Sequence, residues 1–304
     1  MTTRVHAHGG ATLAARAAAL WRFTRPHTVI GTAASIAGLY VIAAQTAPGF
    51  GLADRLGDLA WTLLAGFCVN VYIVGVNQLE DVEIDRVNKP FLPLAAGDMT
   101  VAAARRIVAA CAIVPVALAL SQGAVETVAV LAGLAVGTAY SVPPLRLKRF
   151  PLLASLCITL VRSFVVNLGV ALHFGDTVPE AVWALTLFVL PFSFAIAILK
   201  DVPDAEGDRR FRIATFTLRL GAERVVQIAL AALTAAYLGM AIAGPLLLES
   251  CQPVVLAVTH LAALGALWRM RRATGPGEFT RFYMGIWRLF FLEYALVPLA
   301  VVLA

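Results

Sequence analysis

Asn77, Asp81 and Asp85 stand at intervals of four in the stretch NQLEDVEIDRVNKPFLPLAAGD (residues 77–98), and Asp204 and Asp208 repeat the interval in KDVPDAEGD (200–208). On a helix each step of four brings the side chain back to one face, offset by about 40° and about 6 Å along the axis. Each stretch then forms a short ladder of oxygen ligands. Four carboxylates gathered in one place raise one another's pKa unless cations come between them. Mg²⁺ takes oxygen ligands, keeps several waters and bridges one or two carboxylates to phosphate oxygens, so the ladders predict a metal-bound diphosphate. Asn77 fits as a neutral oxygen ligand. Pro203 interrupts the second ladder, since proline is tolerated best in a first helical turn. Asp201 is therefore a ligand of second rank, and Glu80, Glu83 and Glu206 fall off the main faces as solvated or arginine-paired groups. One pair of acids at this spacing would be an ordinary solvated helix end. Its repetition is what argues for a site.

The elements that must hold these ladders are apolar. Of 304 residues, 60% are hydrophobic and 14% charged, with a mean hydropathy of +0.84. Soluble chains carry about a quarter charged residues, so the composition predicts an all-α, polytopic membrane protein. Nucleic acid is excluded as a partner despite the net charge of +6, because basic residues in membrane proteins sort to one side. Apolar runs near 20 residues read as spanning helices. Nine are predicted, at 27–46, 59–78, 104–121, 123–141, 152–173, 181–199, 224–244, 253–268 and 285–304. Residues 1–26 form a cytosolic or interfacial segment in which Trp21, Arg22, Phe23 and Arg25 suit the headgroup region. This segment has no apolar stretch of the kind a secretory leader needs, while its alanines and arginines leave an organelle-transit role open.

Basic residues cluster before span one (Arg4, Arg16, Arg22, Arg25) and after spans two (Arg86, Lys89, Arg105, Arg106), four (Arg146, Lys148, Arg149), six (Lys200, Arg209, Arg210, Arg212, Arg219, Arg224) and eight (Arg269, Arg271, Arg272, Arg281). The opposite breaks set Arg55 against Asp54, Asp58, Glu126, Asp176, Glu180 and Glu249. This asymmetry predicts a cytoplasmic N-terminus, both ladders on the cytoplasmic side, and the C-terminus outside. The ladders end spans two and six, four crossings apart, so two pseudo-repeated four-helix units followed by a ninth helix are expected.

Lys148, Arg146, Lys200 and Arg209 fall near the ladder side, where cationic groups would contact diphosphate oxygens and stabilise the departing charge. Arg162 lies ten residues into span five, near Ser163 and Asn167, and a charge at that depth is a functional candidate. Arg288 can snorkel to an interface, and Glu293 does not share its face. His27, His173 and His260 have no ligand spacing and read as packed or hydrogen-bonded residues, as Cys68, Cys111, Cys157 and Cys251 read as packing residues. Gly133 and Gly137 form a GxxxG that predicts close helix packing. HExxH, GxxxxGKS and GxSxG motifs are absent from the sequence, which removes zinc protease, P-loop and serine hydrolase readings.

The NxxxDxxxD at Asn77, Asp81 and Asp85, the DxxxD at Asp204 and Asp208, and the nine-span layout together resemble the UbiA superfamily of intramembrane prenyltransferases. Four segments, FTRPHTVIGT (23–32), residues 77–98, AYSVPPLRLKRFP (139–151, with Tyr140) and KDVPDAEGDRRFRIATFTLRLG (200–221), resemble its homogentisate prenyltransferases. The resemblance covers nearly the whole chain as a single domain (1–304). It implies helices around a central cavity and two Mg²⁺ ions held by Asn77, Asp81, Asp85, Asp204 and Asp208. It further implies a prenyl diphosphate donor, such as phytyl diphosphate, whose tail opens to the lipid bilayer, and an aromatic acceptor, homogentisate, that loses CO₂. Arg22, Arg25, His27 and Arg162 are candidates to pair with the acceptor's carboxylate. Prenylation of 4-hydroxybenzoate or a chlorophyllide stays open, as does a different class, a divalent-cation or polar-metabolite transporter. A transporter is expected to keep its coupling groups at midplane, whereas these acids end helices beside basic breaks. No reading of oligomeric state follows.

Overall fold

A computed structural model describes residues 12–273 and 278–304; Arg4 and the rest of residues 1–11 lie outside the described residues. Among the described residues the structure is helical and without strands, and nine helices are long and apolar enough to cross a membrane. These spans, one to nine, are Pro26–Thr46, Leu56–Glu80, Val101–Gln122, Ala124–Ser141, Pro151–Phe174, Glu180–Leu199, Ala222–Leu247, Pro253–Arg272 and Phe279–Val302. Most ends fall within a few residues of the apolar runs. The ninth starts six residues earlier than its run, because Arg281 is exposed and paired with Glu278 at 2.7 Å, so the helix continues past a charge that broke the hydropathy pattern.

Local chemistry sets the turns. Thr12 caps the helix Leu13–Phe23 by accepting from the Ala15 amide, and Thr100 caps span three by accepting from Ala103. Arg25 adopts a left-handed conformation (φ 51°) that turns the chain into Pro26, the first residue of span one. Gly123, at φ 110°, makes the tight turn between spans three and four.

Packing follows chain order and repeats. Span two packs most extensively on span three, and span six likewise on span seven; spans one and two, three and four, and four and five have counterparts in five and six, seven and eight, and eight and nine. Span nine returns onto span one, which also meets span five, so the ring closes. The two four-helix units are therefore visible in the contacts. Gly133 and Gly137 are where span four lies tightest on span two: a Cβ on Gly133 would sit 3.0 Å from Val69, and one on Gly137 2.5 Å from Ile73. Leu120, Val128, Leu187, Leu246 and Leu247 point outward, each more than 60% exposed, which suits an envelope solvated by lipid rather than water.

Candidate diphosphate and metal site

The first ladder is not one straight helix. Span two ends at Glu80, Asp81 takes a non-helical conformation (φ −113°, ψ 15°), and a short helix Val82–Asn88 follows. Backbone bonds from Asp81 N to Asn77 O (3.1 Å) and from Asp85 N to Asp81 O (2.7 Å) nevertheless preserve the interval of four. The second ladder breaks as proline requires. Span six stops at Leu199, and Asp204 precedes a new helix, Ala205–Arg210, that carries Asp208.

The two ladders meet. Asn88 Oδ1 accepts from the Gly207 amide at 2.9 Å while its Nδ2 donates to Asp208 Oδ1 at 3.3 Å. The neighbouring Lys89 donates to Asp204. A Cβ at position 207 would collide with the Asn88 amide, so the bridge needs glycine there. Cations from the break after span four complete the ring: Lys148 Nζ lies 2.6 Å from Asp81 Oδ2, Arg146 Nη2 lies 3.1 Å from Asp81 Oδ1, and Asn77 donates to the same carboxylate at 3.1 Å. Lys200 is paired with Asp201 at 2.6 Å, which accounts for the second-rank acid.

The electrostatics are those of carboxylates taken out of water. Burial pushes Asp85 up to about 6, against the pull of Arg25 and Lys89, and burial with the nearby Asp201 and Asp204 pushes Asp208 up to about 7. Burial lowers Lys148, opposed by Asp81. Burial also works against the charge on Lys200, but Asp201 and Tyr140 override it and hold its pKa well above that of an ordinary lysine.

These acids suit a hard divalent cation. Asp85 Oδ2 and Asp204 Oδ1 are buried without a hydrogen-bond partner among the described residues, an expensive arrangement that a cation would relieve. Among the described residues no three acidic, cysteine or histidine side chains already converge on one point. Mg²⁺ needs only one or two carboxylates per ion, with the remaining positions left to water and phosphate.

The ladders form the mouth of a cavity of about 700 Å³ that reaches down between the spans. Asn77, Asp81, Asp85, Asp201, Asp204 and Asp208 line it, together with Lys89, Lys148, Lys200 and Tyr140. Deeper, the walls turn apolar with Val69, Ile73, Val130, Val165 and Val170, and Glu126 lies at the opposite end, in the first turn of span four. Arg162 also lines the cavity, from a π-helical turn, Val161–Val166, inside span five.

Two expectations need correction. Arg209 is exposed and off the cavity wall, because the short helix Ala205–Arg210 turns Asp208 inward and its neighbour outward. Arg22 lines the mouth but is already committed to Asp98 (2.6 Å) and the Phe91 carbonyl (3.0 Å). Arg146 touches Asp81 from outside the cavity. His260 and Glu293, both fully buried, pair at 2.8 Å away from the cavity, as packed polar residues should. Glu83 pairs with Arg86 at 2.6 Å. Sequence reasoning missed Asn88 and Lys89 as site residues; the sequence signal was a polar pair directly after the first ladder, and their partners lie in the second.

The chain is 48% identical over 294 residues to the homogentisate phytyltransferase of Synechocystis sp., covering 93% of this chain and 95% of that protein. It is 36% identical to the homogentisate geranylgeranyltransferase of Triticum aestivum, over 92% of this chain and 72% of that one. It is also 36% identical to the chloroplastic homogentisate solanesyltransferase of Arabidopsis thaliana, over 92% and 76%. In fold it resembles a UbiA homolog from Archaeoglobus fulgidus bound to GPP and Mg²⁺, with a TM-score of 0.65, 19% identity, and coverage of 92% of this chain and 99% of that one. It similarly resembles a digeranylgeranylglyceryl phosphate synthase, with a TM-score of 0.67, 17% identity, and coverage of 95% and 99%. Residues 29–292 match the UbiA prenyltransferase family, and with nine apolar helices around an acid-ringed cavity the chain belongs to that family of integral membrane proteins.

Proposed function

We propose that this protein transfers a phytyl or related prenyl group from its diphosphate to homogentisate, with Mg²⁺, in a single domain that spans the chain. The observation that carries the reading is the junction of the two acidic segments through Asn88 at the mouth of a cavity whose deeper walls are largely apolar. It is supported by relatives named as homogentisate phytyl-, geranylgeranyl- and solanesyltransferases. Asn77, Asp81, Asp85, Asp204 and Asp208 would hold two Mg²⁺ ions, and Mg²⁺, when bound, supplies the positive charge that neutralises a diphosphate leaving group.

The chain's own residues do the rest. Lys89, Lys148 and Lys200 surround the acids with ammonium groups that can follow the diphosphate as its bridging C–O bond breaks and negative charge accumulates on it. The apolar walls below exclude water, so the allylic cation is held for the aromatic ring instead of being quenched. The ring carbon's electron pair forms the new C–C bond and the ring releases a proton. Loss of the acceptor's carboxylate as CO₂ leaves its electron pair on the methylene carbon, which takes up one proton. The two protons balance, and diphosphate and CO₂ leave. We further infer that the ladder side faces the cytoplasm, with the N-terminus there and the C-terminus outside, from the basic residues that crowd that side.

Isolated membranes carrying the protein should convert homogentisate and radiolabelled phytyl diphosphate to a prenylated, decarboxylated quinol, and EDTA should abolish the product. Asp81→Ala or Asp204→Ala should also abolish it while the protein still inserts. Product undiminished in either variant would refute the metal assignment.

A further inference from the structure

Arg162 is a buried cation without an anion. None of the ion pairs among the described residues involves it, and its Nη1 finds no hydrogen-bond acceptor among them. What it has are aromatic faces: the guanidinium carbon lies 4.5 Å from the Trp287 ring centroid and 5.7 Å from that of Phe290. A buried guanidinium with a donor left unpaired suits an anionic ligand.

Arg162 is eleven residues into span five, about 16 Å from the ladder end at 1.5 Å per residue. Side chains lean toward a helix's N-terminus, which here is the ladder end, so the guanidinium is carried back toward the mouth. The rings confirm that placement. Trp287, on which Arg162 stacks, is also 4.9 Å from the ring of His27, in the first turn of span one at the mouth. Arg162 therefore sits one tier below the acids. That is where an acceptor ring must lie to reach the donor carbon next to the diphosphate.

The approach is fixed as well. Behind Arg162 a recess of about 40 Å³ is lined by Thr28, Thr32, Ser35 and Asn70. It has room for about a water molecule and none for a ring. The three hydroxyls donate to carbonyls of their own segment, Thr28 to Arg25, Thr32 to Thr28 and Ser35 to Gly31. Their O–H groups are thus spent, and Asn70 gives an amide N–H to the Thr28 hydroxyl at 3.1 Å, so the recess offers an anion little. A ligand carboxylate must come from the main cavity, onto the other edge of the guanidinium.

The other candidates for this role are placed differently. Arg22 is bound to Asp98, and Arg25 and His27 stand at the start of span one, at the mouth itself and not in the wall below it. We propose that Arg162 is the anchor for the carboxylate of the aromatic acceptor, binding it through its planar fork of N–H donors with Trp287 as the backing surface, and thereby selecting aromatic acids over carboxylate-free phenols. This rests on the acceptor being an aromatic acid, as the proposed function has it.

The test is calorimetric binding of homogentisate, its methyl ester and methylhydroquinone to the full-length protein in detergent. The protein carries Mg²⁺ and a prenyl thiodiphosphate, whose bridging sulfur blocks ionisation. Wild type should bind the acid roughly 30- to 100-fold tighter than the ester or the quinol, the range expected for losing charge-assisted hydrogen bonds. Arg162→Gln should erase that preference without changing affinity for the thiodiphosphate, and Arg25→Gln should keep it. Equal wild-type affinity for acid and ester overturns the proposal without needing a folded variant. So does a preference that survives in Arg162→Gln or disappears in Arg25→Gln alone. Turnover separates the two claims: acid preference without homogentisate turnover overturns the reaction and leaves the anchor, while turnover without acid preference does the reverse.

Discussion

Replacing Gly207 by alanine should damage the site through one contact. The added Cβ would lie 2.6 Å from Cγ and 2.7 Å from Nδ2 of Asn88, closer than side chains tolerate, so Asn88 must move. It then loses the bond from the Gly207 amide, worth about 1 kcal/mol, and the bond to the Asp208 carboxylate, worth about 1.5–3 kcal/mol in full. With Asp208 pushed up to about 7 and part of the site open to the mouth, about 2 kcal/mol of ladder-holding energy is lost; the donor must then supply it to bring the ladders together, which lowers its affinity about 30-fold. Separation of the ladders by about 1 Å would add a loss in turnover of up to about 100-fold. Steady-state kinetics with saturating Mg²⁺ and varied prenyl diphosphate would measure both. Asn88→Ala should reproduce the binding loss without the collision, and the double variant should be no worse than Asn88→Ala, because the amide that the new methyl group strikes is gone. A Gly207→Ala protein with wild-type kinetics, or a double variant much worse than either single change, would refute the bridge.

Two further outcomes follow from charge and burial. Because Asp85 and Asp208 hold their protons up to about 6 and about 7, Mg²⁺ must displace protons at lower pH; affinity should rise with pH, level off above about 8, and at pH 6 stand about 20-fold below the plateau by titration with a fixed donor analogue. A pH-independent Mg²⁺ affinity between 6 and 8 would sink that account. Glu293→Leu should leave His260 Nε2 without its 2.8 Å partner in a fully buried place, costing about 1–3 kcal/mol, seen as a lower melting temperature in detergent with unchanged KM for both substrates. The companion change His260→Leu should recover part of the loss.

What the sequence disclosed about the site was whatever spacing along one helix determines. Asp81, Asp85, Asp204 and Asp208 announced themselves because an interval of four places side chains on one face, and even the break at Asp81 keeps that interval through its backbone bonds. Nine spans were legible because a lipid-facing helix must be apolar along its whole length, while Arg281 hid one helix start because a charge at an interface costs little. The remaining features depend on partners distant in the chain. Asn88 and Lys89 acquire meaning only beside Asp208 and Asp204, more than a hundred residues away. Arg22 looked available until Asp98 folded against it, and Arg209 differs from Asp208 only in which way a six-residue helix turns. Arg162 was conspicuous by depth alone, but its lack of a counter-ion is a property of the assembled bundle.

The wide turn at Val161–Val166 has an evolutionary consequence. Such a turn holds one residue more than an ordinary helix over the same rise, so a single deletion can remove it. Removing the residue ahead of Arg162, Val161, would leave both helix ends where they are yet swing Arg162 by about 100°, the angle one residue subtends. A relative could thus abandon acidic acceptors in one genetic event, without a substitution at the arginine and without disturbing the grip on the prenyl donor.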